Sequence, residues 1–380
     1  MTSWRSRLVL RFPPIQLEVG SRPRSFTSKR GWQVSARGAY LRDADPQRPV
    51  FRAYGPSPQL EISGSTASFE VELENVHPEA VGRLSAAVRS SDHGSSRRIS
   101  GELSNGTVGT ASFAFPERAE YRFVAVGDTG AGNGLRRVLA FADQVAADFV
   151  LHLGDFFYGP HGEADVGPVL RSARVPVFAA CGNHDFHGGA RSRTRPSVFV
   201  REVGPLSYWF RLAGLDFLNL DTAAGFLPLD GGVRGQVLRD IALARAADAV
   251  RPPLVVFSHR PLQDPRRAAG TRGGRGGLQR LGENRFLGRR LHELGAGVVL
   301  AAHVHESWDF DAEGIRTLVA GQGEGRDNGP LSTLLGRFRS GQLPSFEWFS
   351  KSPANGAGSA SSGTSVRRLL TTPGSTEAND

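Results

Sequence analysis

Along the middle of the chain, short apolar runs repeatedly stop at a polar residue. Phe149-Val150-Leu151-His152-Leu153 runs into Gly154-Asp155, and Arg122-Phe123-Val124-Ala125-Val126 runs into Gly127-Asp128. Val175-Pro176-Val177-Phe178-Ala179-Ala180 leads to Gly182-Asn183-His184-Asp185, Val255-Val256-Phe257 to Ser258-His259, and Val298-Val299-Leu300-Ala301-Ala302 to His303-Val304-His305. Each run has the length and composition of a strand buried on both faces. Between them lie helical patterns. Leu135, Val138, Leu139, Ala142 and Val145 share one face of a helix over 135–147, and further helices are expected at 166–172, 236–247 and 285–294. Two strands around Ala213-Gly214 span 207–221, and residues 308–310 and 315–319 form a hairpin. Strands alternating with helices predict an α/β domain over residues 119–328.

The flanks read differently. Residues 59–63, 67–73 and 110–115 alternate polar and apolar at period two, which predicts a small β-rich, sandwich-like module over 56–118. Residues 1–55 show no sustained period and read as a disordered arm. Residues 329–380 read as an irregular tail, rich in Gly, Ser, Ala and Thr from 352 onward.

Composition narrows the partners. The 380 residues carry a net charge of +9, almost all of the basic side being arginine, which suits bidentate binding of a small phosphorylated substrate. No basic run interleaved with aromatics predicts a nucleic-acid groove. Cys181 is the only cysteine, so a metal would be held by oxygen and nitrogen rather than thiolates. No segment has the apolar length of a membrane span, and Arg11 interrupts the apolar start before signal-peptide length, so the expected compartment is cytoplasmic. Nothing in the pattern fixes an oligomeric state.

The polar strand ends carry the chemistry. Ligand sites of α/β folds gather beyond the carboxyl ends of strands, so Asp128, Asp155, Asn183, His259, His303 and His305 are expected to converge. Carboxylate, amide oxygen and imidazole suit Fe, Mn or Zn. Two such ions about 3.5 to 4 Å apart can hold the attacking and leaving oxygens of a phosphoryl displacement.

These blocks resemble those of the calcineurin-like metallophosphoesterases, and more narrowly of purple acid phosphatases. The family pattern D-x-G, G-D-x-x-Y, G-N-H-[DE], V-x-x-H and G-H-x-H stands here as Asp128-Thr129-Gly130, Gly154-Asp155-Phe156-Phe157-Tyr158, Gly182-Asn183-His184-Asp185, Val256-Phe257-Ser258-His259 and Ala302-His303-Val304-His305. Most metallophosphoesterases place a histidine ligand where Gly130 stands. Tyr158 lies where the purple enzymes put their compensating tyrosine, and a phenol of ordinary pKa about 10 needs a strongly acidic cation to bind as phenolate.

The resemblance implies a four-layer α/β/β/α sandwich and a dinuclear centre of Fe(III) with a divalent Fe, Zn or Mn. Asp128, Tyr158 and His305 would hold the ferric ion, Asn183, His259 and His303 the divalent one, and Asp155 would bridge. His184, oriented by Asp185, would contact the phosphate or protonate the leaving group, with Arg260 as a further phosphate contact. The implied activity is hydrolysis of phosphomonoesters by in-line attack of a metal-bound hydroxide. A phosphodiesterase or nucleotidase would use the same centre, and a non-catalytic metal protein binding phosphorylated or polyanionic ligands is the reading from a different class. Relatives of this kind are often exported, so a secreted or periplasmic address is the alternative to the cytoplasm. Two positions depart from the pattern: Ala302 replaces a glycine, and the segment after His259 lacks the further histidine common in the family.

Overall fold

The computed structural model describes residues 24–351 apart from 65–66, 105, 159–161, 187–194, 224–230, 269, 271–275, 279–280 and 324–330. Residues 1–23 of the expected arm and 352–380 of the expected tail lie outside the described residues.

Ten strands occupy residues 25–114. They are β1 (Ser25–Thr27), β2 (Trp32–Arg37), β3 (Ala39–Asp43), β4 (Val50–Ala53), β5 (Gln59–Gly64), β6 (Ala67–Glu74), β7 (Val81–Leu84), β8 (Val88–His93), β9 (Ser96–Leu103) and β10 (Val108–Ala114). They pair as two five-stranded sheets, β1-β2-β5-β10-β7 and β3-β4-β6-β9-β8. Trp32, Val34, Phe51, Ile62, Val71 and Phe113 belong to one core shared by both sheets. The module therefore begins far earlier than residue 56. Strands β1 to β4 were hidden because they are short, because β2 alternates for only a few residues, and because β4 buries Arg52 among its apolar neighbours.

This module is bonded to the domain that follows. The Tyr40 hydroxyl donates to Arg201 O at 3.0 Å, Arg52 Nε to Val203 O at 3.2 Å, and Ser95 Oγ to Ala173 O at 2.8 Å. Asn75, at φ 65°, accepts from Val177 N at 2.9 Å and donates through Nδ2 to Val177 O at 3.1 Å and Ala53 O at 2.8 Å. A side-chain amide so placed satisfies the exposed edge of a strand as another strand would. Substituting Asn75→Ala leaves these buried groups unmatched and is expected to cost about 2–4 kcal/mol. Urea unfolding of the full chain checks this as a lower midpoint.

The second domain is mixed α/β. Its strands are β11 (Tyr121–Val126), β12 (Phe149–His152), β13 (Val177–Ala179), β14 (Tyr208–Leu212), β15 (Leu215–Leu220), β16 (Leu254–Ser258), β17 (Ala296–Ala301), β18 (Ser307–Ala312), β19 (Ile315–Ala320), β20 (Leu331–Phe338) and β21 (Ser345–Lys351). Its helices are α1 (Asn133–Gln144), α2 (Gly162–Arg171), α3 (Asn183–Phe186), α4 (Arg195–Glu202), α5 (Gly232–Ala246), α6 (Pro265–Ala268) and α7 (Leu281–Leu294). One sheet has the order β13-β12-β11-β20-β21 and the other β14-β15-β16-β17-β19-β18. Strands β11 to β13 are mutually parallel, as are β15, β16, β17 and β19.

Strands β20 and β21 lie in the stretch expected to be irregular. They continue the first sheet beyond β11, with β20 antiparallel to it. Buried Ser332 and Thr333 break the apolar run of β20, so it does not read as a central strand.

Phe123, Phe149, Phe178, Phe210, Phe217 and Phe257 form a core to which both sheets contribute. Phe123 stacks on Phe149 with centroids 5.2 Å apart, and Phe217 meets both edge-on. Helices α1, α2 and α4 pack on the first sheet through Val138, Val166 and Phe199, while α5 and α7 pack on the second through Ile241 and Leu291. The parallel strands are thus covered on both faces, which explains their continuous apolar runs. Their carboxyl ends are left as the place for polar residues.

Candidate metal centre

The strand ends meet. Asp128 follows β11 and Asp155 follows β12, each 1% exposed, while His259 follows β16 and is fully buried. One donor atom from each of these three residues lies within 4.8 Å of the others. Asn183 opens α3, and its Oδ1 stands 3.0 Å from His259 Nε2. His303 and His305 follow β17: the His303 ring lies 5.0 Å from that of His259, and His305 Nε2 is 3.4 Å from Asp128 Oδ1. The Tyr158 hydroxyl stands 2.8 Å from Asp128 Oδ1 and 2.8 Å from Asp155 Oδ2. All seven expected ligand positions therefore fall in one cluster.

Its backbone is strained. Asp128, Asp155, His303 and His305 have φ of 60°, 64°, 71° and 53°, a left-handed conformation unfavourable for side chains with a Cβ. Hydrogen bonds hold three of these turns together: Asp128 Oδ2 accepts from His303 N at 2.8 Å, and Asp128 N donates to Gly154 O at 2.9 Å.

Two contacts test whether the cluster suits a cation. A phenol has one hydrogen, yet Tyr158 faces two carboxylate oxygens at bonding distance. His259 Nδ1 is 2.9 Å from Leu153 O, a pure acceptor, so in the neutral ring Nδ1 carries the hydrogen and Nε2 carries a lone pair. Burial lowers the His259 pKa and favours that neutral form. The Nε2 lone pair then faces Asn183 Oδ1 and, at 3.5 Å, Asp155 Oδ1. Electron pairs converging in a buried space fit a metal ion.

Electrostatics agree. Burial and the neighbouring Asp128 push the Asp155 carboxyl up to about 8. Burial also acts to raise Asp128, but the His305 hydrogen bond and the surrounding histidines outweigh it and bring the group down to about 2. Burial and the two carboxylates push the Tyr158 phenol far above its usual value. Only a strong positive charge would oppose that shift.

The surrounding residues divide into partners of the site and parts of the scaffold. His184 is half-buried, with its ring 4.7 Å from the Tyr158 ring and its backbone N donating to Asp155 Oδ1 at 2.8 Å. Asp185 was expected to orient the His184 side chain. Its carboxylate instead accepts from the backbone N–H groups of Asp155, Phe156, Phe157 and Gly182 at 2.7–3.0 Å. Those four bonds occupy its acceptor sites, so Asp185 clasps the loop carrying Asp155 to the turn carrying Asn183. His152 is satisfied within the core: Nε2 meets Thr129 Oγ1 at 2.7 Å and Nδ1 accepts from Gly154 N at 3.2 Å.

Arg260 follows His259 and is half-buried. Its backbone N donates to Thr222 Oγ1 at 2.7 Å, and its buried Nε has no hydrogen-bond partner among the described residues. Behind it, buried Arg234 pairs with Glu283 at 2.8 Å. That pair was not anticipated, because the two residues lie on separate helices and neither carries a strand-end signature.

Glycines make room for the ligands. A Cβ on Gly182 would lie 2.0 Å from Asp155 Oδ1, and one on Gly127 would lie 2.4 Å from the Cβ of Ala302. The departure at Ala302 is thus accommodated by Gly127, with Ala302 fully buried and both following histidines in the cluster.

Oxygen and nitrogen donors gathered beyond parallel strands define a metal-binding α/β domain. Residues 121–307 match the family model for calcineurin-like phosphoesterases. Among solved structures, the chain is similar to GAP50, the anchor in the inner membrane complex of Plasmodium, at 14% identity over 61% of this chain and 85% of that one, TM-score 0.45. It is also similar to a dimetal phosphatase from Danio rerio, at 14% identity over 62% and 96%, TM-score 0.42. A structure of PhoD aligns at 10% identity over 78% and 88%, TM-score 0.44. No curated protein matches the chain. Among the described residues, no helix is long and apolar enough to cross a membrane.

Proposed function

We propose that the chain is a metal-dependent phosphomonoesterase of the purple-acid-phosphatase type. The observation that carries this reading is the Tyr158 hydroxyl set between Asp128 and Asp155 in a domain whose first block has Gly130 in place of histidine. Asp128, Tyr158 and His305 would hold a ferric ion, Asn183, His259 and His303 a divalent ion of Fe, Zn or Mn, and Asp155 would bridge them. When bound, the two ions would supply Lewis acidity toward phosphoryl oxygens and lower the pKa of water.

The chain's own groups supply the rest. His184, beside Tyr158, either contacts a phosphoryl oxygen or gives a proton to the departing alkoxide. Arg260 has a buried N–H without a hydrogen-bond partner among the described residues and can donate it to a phosphate oxygen, in place of the missing histidine after His259. Asp185 holds the backbone that presents Asp155 and Asn183, which keeps their spacing fixed as charge shifts.

The test loads the protein with iron and zinc and compares p-nitrophenyl phosphate with bis-p-nitrophenyl phosphate, alongside the visible spectrum. The expected result is faster cleavage of the monoester, loss of turnover on chelation, and a broad visible band that disappears in Tyr158→Phe. Preference for the diester would replace the monoesterase reading. A colourless protein active with two divalent ions would remove the ferric tyrosinate, and binding without turnover would leave a phospho-ligand receptor.

A further inference from the structure

A cleft of about 370 Å³ lies between α5 and α7 on the outer side of the second sheet, within the size range of small-molecule sites. It runs along these helices toward the amino end of β16, away from His259 at the carboxyl end of that strand. Arg245 sits at the end of α5 and Arg251 precedes β16, whose far end leads to His259.

Its walls are braced. Arg234 and Glu283 join the two helices near their amino ends at 2.8 Å, and Arg245 Nε donates to Leu294 O at 3.0 Å near their carboxyl ends. The cleft lies between these two cross-links, which fix its walls and lower the ordering cost of binding.

The lining has two characters. Leu238, Ala242, Phe286 and Leu294 give it an apolar wall, while Arg239, Arg245, Arg251 and Arg290 line it together with one acid, Glu293, which pairs with Arg290 at 2.7 Å. Arg245 is 3% exposed, with Nη1 on Asp216 and Nε on Leu294 O. Among the described residues no hydrogen bond reaches its Nη2, although the residue lines the cleft. A buried guanidinium fixed by two bonds thus keeps a further donor available. Arg290 lies over the Phe286 ring at 5.8 Å and so extends a flat surface. Arg251 is exposed and makes no ion pair among the described residues.

We infer that this cleft binds a small organic anion, an aromatic or similarly flat apolar group bearing a sulfonate, carboxylate or phosphate. The charged end meets Arg245 and Arg251, and the apolar end lies against Leu238, Ala242 and the Phe286 face. An inorganic anion alone would leave that apolar wall in water. The site is separate from the metal centre and does not depend on the activity proposed for it.

The test is calorimetric titration of the full-length protein with naphthalenesulfonate, which has no phosphoester to cleave. The expected result is one-to-one binding, weakened at least tenfold in Arg251→Ala/Arg290→Ala and at least tenfold in Ala242→Trp, which fills the cleft from an exposed helix position. Neutral naphthalenemethanol should bind at least tenfold more weakly, and loading the metal centre with zinc and phosphate should leave the affinity unchanged. Equal affinity in both variants, competition by zinc and phosphate, or no heat at millimolar probe would overturn the assignment. Because one variant removes charge and the other removes space, misfolding of either leaves the other decisive.

Discussion

Substituting Asp155→Asn is expected to lower phosphomonoester turnover by at least ~10²–10³-fold, while the metal-free protein becomes more stable. The two effects have one origin. Asp155 is nearly inaccessible and shares the Tyr158 hydroxyl with Asp128. Without a cation, two carboxylates in that space repel one another, and burial with the charge of Asp128 holds Asp155 up to about 8. The sign follows from linkage. A carboxyl whose folded pKa lies above its unfolded value of 3.8 binds more protons when folded, so stability falls as pH rises from about 4 to about 8. The amide removes that dependence. In chelator, thermal unfolding of the variant should therefore exceed that of the wild type by a margin that grows across this window. With metal added, the order should reverse, because the wild type gains binding free energy that the variant largely lacks. Equal pH dependence of the two metal-free proteins would contradict the buried repulsion, and retained turnover would remove Asp155 from the centre.

The second large effect concerns a pair of small residues. Gly127→Ala would put a Cβ 2.4 Å from that of Ala302 and 3.2 Å from Leu153, so β11 and the turn after β17 must move apart. Asp128 and His303 are the next residues along each segment and are joined at 2.8 Å, so the displacement reaches the ligands directly. Turnover is expected to fall about 10²-fold, since even small misplacement of reacting groups is costly. Ala302→Gly alone should change turnover less than threefold. Combined with Gly127→Ala, it should recover most of the loss, leaving only the closer fit at Leu153. Such non-additivity is the signature of direct contact, and simple multiplication of the two single effects would exclude it.

Much of the centre was legible because the strands there follow a strict rule. Each is covered on both faces and so runs apolar until its last turn, which makes the polar residue at its end conspicuous. Asp128, Asp155, Asn183, His259, His303 and His305 all stand out in this way. Tyr158 lies off that pattern, and only the glycine at position 130 pointed to it. The role of Asp185 was not legible, because its partners are backbone N–H groups that no side-chain pattern records. The same holds for the first strands of the β-module and for β20. Tertiary burial of Arg52, Ser332 and Thr333 overrode the local polarity that made those stretches read as irregular. Arg234 and Glu283, 49 residues apart, find each other only after both helices have docked.

The left-handed turns at Asp128, Asp155, His303 and His305 bear on how quickly the centre can exchange its ions. These backbone conformations are set by the strands and by hydrogen bonds such as Asp128 to His303, so the chain itself would present these candidate ligands to an ion. Capture then requires shedding water from the ion rather than rearranging the chain. Replacement of one metal by another should proceed on the timescale of ligand substitution, without passing through partial unfolding.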